Sequence, residues 1–135
     1  MSRKRILIVD DDPDVRLGLH IRLKANDYET HFAADGLTAV CEARKCRPDL
    51  IILDLGLPGG DGYSVMERLQ KNPEWACIPI IVLSARDAKT DRERAGKAGA
   101  RYYMQKPAKN EVLLGAIHRL LGDEVPNNCE HRELI

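Results

Sequence analysis

PDLIILDLGLPGGDGYS, residues 48–64, is the stretch from which the fold can be read. Leu50, Ile51, Ile52 and Leu53 form a short, continuous apolar run rich in β-favouring residues. Such a run predicts a strand buried on both faces, in the middle of a parallel sheet. One carboxylate, Asp54, follows at its end, and Gly56, Pro58, Gly59, Gly60 and Gly62 then break the chain into a loop. In an open α/β sheet, ligands and chemistry sit just beyond the carboxyl ends of the strands. Asp54 stands at such an end, although an aspartate there can also do no more than begin a turn.

Working outward, residues 5–10 (RILIVD) and 78–84 (IPIIVLS) repeat the buried-strand pattern, and residues 101–105 (RYYMQ) supply a fifth strand. Residues 28–33 (YETHFA) alternate loosely, as an edge or near-edge strand would. Helical patterns separate these runs. Asp12 suits an N-cap, Pro13 the first helical position and Asp14 the positive helix end, opening a helix to about Asn26. Val15, Leu19 and Leu23 define its apolar face, which Leu17 and Ile21 are expected to widen. After the Asp35-Gly36 turn, Leu37, Val40 and Ala43 mark a second helix that ends near Cys46. A third covers residues 63–71, with Val65, Met66 and Leu69 inward, and Asn72-Pro73 ends it. Residues 87–97 read as a polar fourth helix, anchored only by Ala88, Ala95 and Ala98 and therefore able to shift cheaply. The last helix, residues 110–121, is expected to bury Val112, Leu113, Ala116, Ile117 and Leu120, with Gly122 placed to stop it.

Five strands alternating with five helices predict an α/β fold: a flavodoxin-like, doubly wound parallel sheet of order 2-1-3-4-5. Residues 1–122 form one domain in this reading, and 123–135 a polar tail or the start of a linker. The 135 residues carry 21 basic and 21 acidic side chains. Nothing in that balance implies nucleic acid or an anionic membrane as a partner. No apolar run is long enough for a membrane span or a signal peptide, so the expected location is the cytoplasm. The four cysteines, Cys41, Cys46, Cys77 and Cys129, form no C-x-x-C pair and read as reduced thiols. The four histidines are scattered and receive no role.

Taken together, the strand ends deliver Asp10, Asp11 and Asp12 from the first strand, Asp54 from the third, Ser84 from the fourth and Lys106 from the fifth. Clustered carboxylates raise each other's pKa unless a cation joins them. A hard divalent cation with oxygen ligands suits such a site, Mg²⁺ first and Mn²⁺ as an alternative. A lysine and a hydroxyl on the far side can take the remaining oxygens of a phosphoryl group, with Asp54 as the nucleophile. Phosphoryl transfer needs mainly in-line positioning and charge neutralisation, which this set supplies without a separate base.

The chain resembles the receiver domain of two-component response regulators over residues 4–121. The resemblance rests on ILIVDDDP, LDLGLPGGDG around Asp54, IIVLSA with Ser84-Ala85, and GARYYMQKP with Lys106-Pro107. It implies that Asp54 accepts a phosphoryl group from a phosphohistidine of a sensor kinase or phosphotransfer protein. It implies Asp11 as a direct metal ligand, Asp10 acting mostly through water, and Asp54 and the Gly56 backbone carbonyl completing the protein ligands. Ser84 and Lys106 would engage the new phosphoryl group, and Tyr103 would be the switch aromatic. A cis peptide bond would precede Pro107.

Because Ser84 and Tyr103 adjoin them, the fourth helix, fifth strand and last helix are expected to form the face that changes on phosphorylation. That face would control a downstream effector or an output domain outside these residues, in a monomer or a phosphorylation-dependent homodimer. Such a receiver catalyses its own phosphorylation but is not a turnover enzyme. Three departures from the family pattern bear on kinetics and partner choice: Gly56 lacks a side chain, Ala108 replaces a common phenylalanine, and Tyr102 stands where a small or acidic residue is frequent. Two rivals fit less well. A haloacid-dehalogenase-type phosphatase would use Asp10-x-Asp12 but needs a later acidic motif and leaves Asp54 idle. A nucleotide-binding module lacks both the P-loop and the G-x-G-x-x-G spacing.

Overall fold

A computed structural model of the chain describes residues 3–57, 62–85 and 89–122. The elements alternate strictly: β1 (Arg5–Val9), α1 (Pro13–Ala25), β2 (Glu29–Ala33), α2 (Gly36–Cys46), β3 (Leu50–Leu53), α3 (Gly62–Lys71), β4 (Ile80–Ser84), α4 (Lys89–Ala98), β5 (Ala100–Gln105) and α5 (Asn110–Leu121). The strands form one sheet in the order β2-β1-β3-β4-β5, and all pairs are parallel. This is the doubly wound order read from the sequence, with β1 and β3 adjacent at the point where the winding reverses.

The continuous apolar runs become central strands because both faces of the sheet are covered. Leu7, Val9, Ile51, Leu53, Ile80 and Val82 point to the face roofed by α2, α3 and α4. Ile6, Ile8, Leu50, Ile52, Ile81 and Leu83 alternate with them toward α1 and α5. The register pairs Val9 with Leu53 and Leu53 with Val82, so Asp10 and Asp54 leave neighbouring strands side by side. Asp54 N–H donates to Val9 O at 2.9 Å and locks that alignment. Asp12 caps α1, its carboxylate accepting from Asp14 N–H at 2.9 Å, and Asp35 caps α2 through Thr38 N–H.

Several expected core positions face outward instead. Leu17 and Ile21 are 55 % and 59 % exposed, and Leu37 and Val112 are exposed as well. On a helix, residues two apart do not share a face, so the Leu19–Leu23 stripe that meets the sheet turns Leu17 and Ile21 away. Ala39, Ala43 and Cys46 fill the equivalent stripe of α2, leaving Leu37 outside it. On α5 the stripe is Leu113, Ala116, Ile117 and Leu120, with Val112 at its margin. β4 also begins at Ile80 rather than at 78, because Pro79 has no N–H for the ladder; its carbonyl still accepts from Ile51 N–H at 3.0 Å.

The expectation of four reduced thiols needs correction. Cys41 and Cys46 are free, but Cys77, exposed in the loop between α3 and β4, is disulfide-bonded. Sequence spacing carries no signal for such a bond, because pairing depends on Cα separation in the fold. Burial pushes the Cys46 thiol up to about 11, leaving it an inert core residue. Cys129, the expected 123–135 tail and the expected helical start at 87–88 lie outside the described residues, as do Pro58, Gly59 and Gly60 of the glycine loop.

Gly62 shows how tightly the chain returns past Asp54. Its N–H donates to Leu55 O at 2.9 Å, and a Cβ added there would lie 2.7 Å from Asp54 O and 2.8 Å from Leu55 Cα. Both obstacles are backbone, so Gly62→Ala is expected to destabilise the fold by about 1–3 kcal/mol. Gly56→Ala, whose added Cβ meets nothing within 4 Å, is expected to stay within about 0.5 kcal/mol of wild type. Urea unfolding of the two variants checks this, and equal losses would contradict the geometry.

Candidate functional site

β1 leads directly into Asp10, which is 3 % exposed. Its N–H donates to Ala33 O at 3.1 Å, and its Oδ1 accepts from Asp12 N–H at 2.9 Å. Oδ2 is paired with Lys106 Nζ at 2.7 Å. β3 ends in Asp54, also buried. Its own turn holds Oδ1, which accepts from Gly56 N–H at 3.3 Å, and Oδ2 accepts from Lys106 Nζ at 3.3 Å. Asp11 is exposed beside them. Asp10, Asp11 and Asp54 each present an oxygen within 4.8 Å of the others.

Lys106 reaches the acids because β5 ends level with β4: Ser84 pairs with Gln105, and Lys106 N–H donates to Ser84 O at 2.8 Å. The Lys106–Pro107 peptide bond is cis, as the resemblance implied. Ser84 is buried at the end of β4, one strand over from Asp54. Tyr103 lies opposite Val82 on β5 and is buried. The Arg92 guanidinium sits 4.9 Å from its ring centroid and donates to Tyr103 O at 3.1 Å. Gly56 is exposed two residues beyond Asp54. The fold therefore brings Asp10, Asp11, Asp54 and Lys106 into one cluster, with Ser84 and Tyr103 on the adjoining strands.

The electrostatics of the cluster are lopsided. Burial raises the Asp10 carboxyl above its ordinary value, and the Lys106 ammonium and Asp12 N–H offset this only in part. Burial would depress the Lys106 ammonium, but Asp10 and then Asp54 outweigh it and hold its pKa above normal. Lys106 is thus firmly charged, while Asp10 is undercompensated by that single cation. Three carboxylates gather here, and one ammonium is paired with two of them. An all-oxygen donor set with a charge deficit fits a hard divalent cation.

Sequence reasoning missed two sets of contacts, one at this cluster and one between α3 and α4. Arg16 on α1 donates from Nη1 to Asp10 O at 2.7 Å. Its place four residues after the N-cap was the available signal, since long helical side chains lean back over the preceding turn. On α3, Tyr63 donates its hydroxyl to Asp91 Oδ1 at 2.9 Å, under the Arg94 guanidinium at 3.8 Å from the ring centroid. Burial and Asp91 push the Tyr63 phenol up to about 12. No sequence spacing foretells that link between α3 and α4.

Fold and site together define a doubly wound α/β domain with an acidic, lysine-paired cluster at its switch point. A profile of the response regulator receiver domain matches residues 6–118. The chain is 36 % identical to the DNA-binding dual master transcriptional regulator RpaA of Synechocystis sp. over 133 residues, 97 % of this chain and 55 % of that protein. It is 35 % identical to protein PilH of Pseudomonas aeruginosa over 117 residues, 87 % of this chain and 97 % of that protein. Among solved structures, the receiver domain of the sensor histidine kinase PA1611 of Pseudomonas aeruginosa superposes with a TM-score of 0.82 at 33 % identity, covering 90 % of this chain and 100 % of that one. That receiver holds a magnesium ion in its active-site cleft.

The chain belongs to the response regulator receiver domain family. Receiver domains are signalling modules rather than turnover enzymes, which sets aside the phosphatase alternative. The chain spans about half the length of RpaA and nearly all of PilH, so the relatives differ in what accompanies the receiver. No helix among the described residues is long and apolar enough to cross a membrane.

Proposed function

We propose that this receiver accepts a phosphoryl group on Asp54 from a phosphohistidine of a sensor histidine kinase or phosphotransfer protein. The observation that carries the proposal is the fixed Asp54 carboxylate. It stands at the end of a fully buried strand, one oxygen held by Gly56 N–H, the other 3.3 Å from Lys106 Nζ, with the Asp10 and Asp11 oxygens within 4.8 Å. In the reaction an Asp54 oxygen attacks phosphorus in line, a P–O bond forms, the donor P–N bond breaks, and the imidazole leaves and takes up a proton. Lys106 is within reach of both acids and can follow the phosphoryl oxygens as they arrive on Asp54.

Asp10, Asp11, Asp54 and the Gly56 carbonyl would hold Mg²⁺, or Mn²⁺, which supplies charge neutralisation for the phosphoryl oxygens when bound. Ser84 moves toward the phosphoryl group, and Tyr103 follows on β5. α4, β5 and α5 then present an altered face to a downstream effector or an output domain, in a monomer or a phosphorylation-dependent homodimer. The weak apolar anchoring of α4 supports this reading, because Ala95 is its one buried residue among those described and its ties through Asp91 and Arg92 are polar.

Transfer from a phosphorylated histidine donor tests the proposal. Radiolabel should pass to the protein with Mg²⁺ and fail to pass with excess EDTA. Amide exchange on the labelled sample should change in residues 89–122. Transfer unaffected by EDTA would contradict the metal site, and unchanged exchange there would contradict the switch face.

A further inference from the structure

The acids of the pocket are not equally supported. Asp10 is held at its N–H, at both carboxylate oxygens and by its place in the sheet. Asp54 has hydrogen bonds at its N–H and at both carboxylate oxygens. Asp11 is exposed, so its carboxylate depends on the backbone from which it projects. That backbone is the Asp10–Asp11 peptide unit, whose carbonyl lies past the last sheet bond on this edge, Asp54 N–H to Val9 O. The Asp10 carbonyl takes its hydrogen bond from Arg16 Nη1 at 2.7 Å, a short, charge-assisted contact. Fixing a carbonyl fixes its peptide plane, and with it Asp10 ψ and Asp11 φ.

We infer that Arg16 is a positioning residue of the metal site: it clamps the Asp10–Asp11 peptide so that Asp11 is aimed into the pocket before a cation arrives. The inference rests on the Mg²⁺-binding reading given above. Arg16 is half-buried and makes no ion pair among the described residues, so the carbonyl is the group that its guanidinium serves. A second effect has the opposite sign. A guanidinium near the pocket repels a dication, so removing its charge alone would tighten Mg²⁺ binding. The two roles are therefore separable by the direction of the change.

Isothermal titration of Mg²⁺ into the full-length wild type, Arg16→Met and Arg16→Lys, with melting curves of each metal-free protein, tests the inference. Arg16→Met keeps the stem and loses every donor; its Mg²⁺ affinity should fall about tenfold or more, as outer-shell losses do. Arg16→Lys keeps one cationic donor and should stay within about threefold of wild type. Affinity in Arg16→Met equal to or tighter than wild type overturns the assignment, as does an equal loss in both variants. Wild type that binds no Mg²⁺ overturns the receiver reading itself, and this inference with it.

Discussion

Asp54→Asn is expected to lower phosphoryl uptake from acetyl phosphate by about 10³-fold or more, to background. The amide is isosteric, so the side chain can still accept from Gly56 N–H, and the backbone bond to Val9 O is untouched. What is lost is the anionic oxygen that attacks phosphorus, and no neighbouring acid can replace it. Asp10 is held more tightly than Asp54, its oxygens 2.9 Å from Asp12 N–H and 2.7 Å from Lys106 Nζ against 3.3 Å for both Asp54 contacts, and Asp11 makes no contact with the lysine. The variant should fold normally, and removing one of three crowded carboxylates should leave it at least as stable as wild type without metal. Uptake is read by intact mass and stability by circular dichroism. Undiminished, acid-labile uptake in a folded Asp54→Asn protein would contradict the assignment.

Lys106→Met should destabilise the metal-free protein more than any other change at the acidic cluster. The ammonium lies 2.7 Å from Asp10 and 3.3 Å from Asp54, with its side chain 20 % exposed. Removing one partner of a buried pair leaves the other charged and desolvated, which costs about 3–5 kcal/mol when burial is complete. Partial exposure of the Lys106 side chain reduces this to roughly 2–3 kcal/mol at neutral pH. The pH dependence has a definite sign. The Asp10 pKa in the folded state is already raised above 3.8, so stability falls as pH rises from that value through the folded pKa. Without Lys106 the folded pKa rises further, so the deficit relative to wild type widens from acid toward neutral pH. Saturating Mg²⁺ should recover about 2–3 kcal/mol in proportion to its binding. Urea unfolding at several pH values checks this; a deficit larger at pH 4 than at pH 7 would contradict it.

The sequence revealed the sheet better than it revealed the helix faces. Continuous apolar runs such as Leu50–Leu53 have one physical solution in an alternating βα chain, so strand order and the β1–β3 crevice were legible. Leu17 and Ile21 misled because hydrophobicity shows that a residue can be buried, while the helix azimuth decides whether it is. Asp10, Asp54, Ser84 and Lys106 were readable from their places at strand ends, where register does the positioning. Asp11 was readable there too, but the Arg16 contact to the Asp10 carbonyl beside it was not picked out, because a helix position shows only where a side chain can reach. The Tyr63–Asp91 link joins residues 28 apart on two different helices and emerges only from packing. The bonded state of Cys77 was likewise a question of spatial separation rather than of spacing.

Site mapping of the label on wild-type protein tests whether Asp54 is the phosphoacceptor. The protein would be treated with acetyl phosphate and Mg²⁺, trapped with borohydride, digested and sequenced by tandem mass spectrometry. The modification should fall on Asp54 alone and vanish when EDTA replaces Mg²⁺. A label on Asp10, Asp11 or a histidine, or labelling that persists in EDTA, would contradict the account.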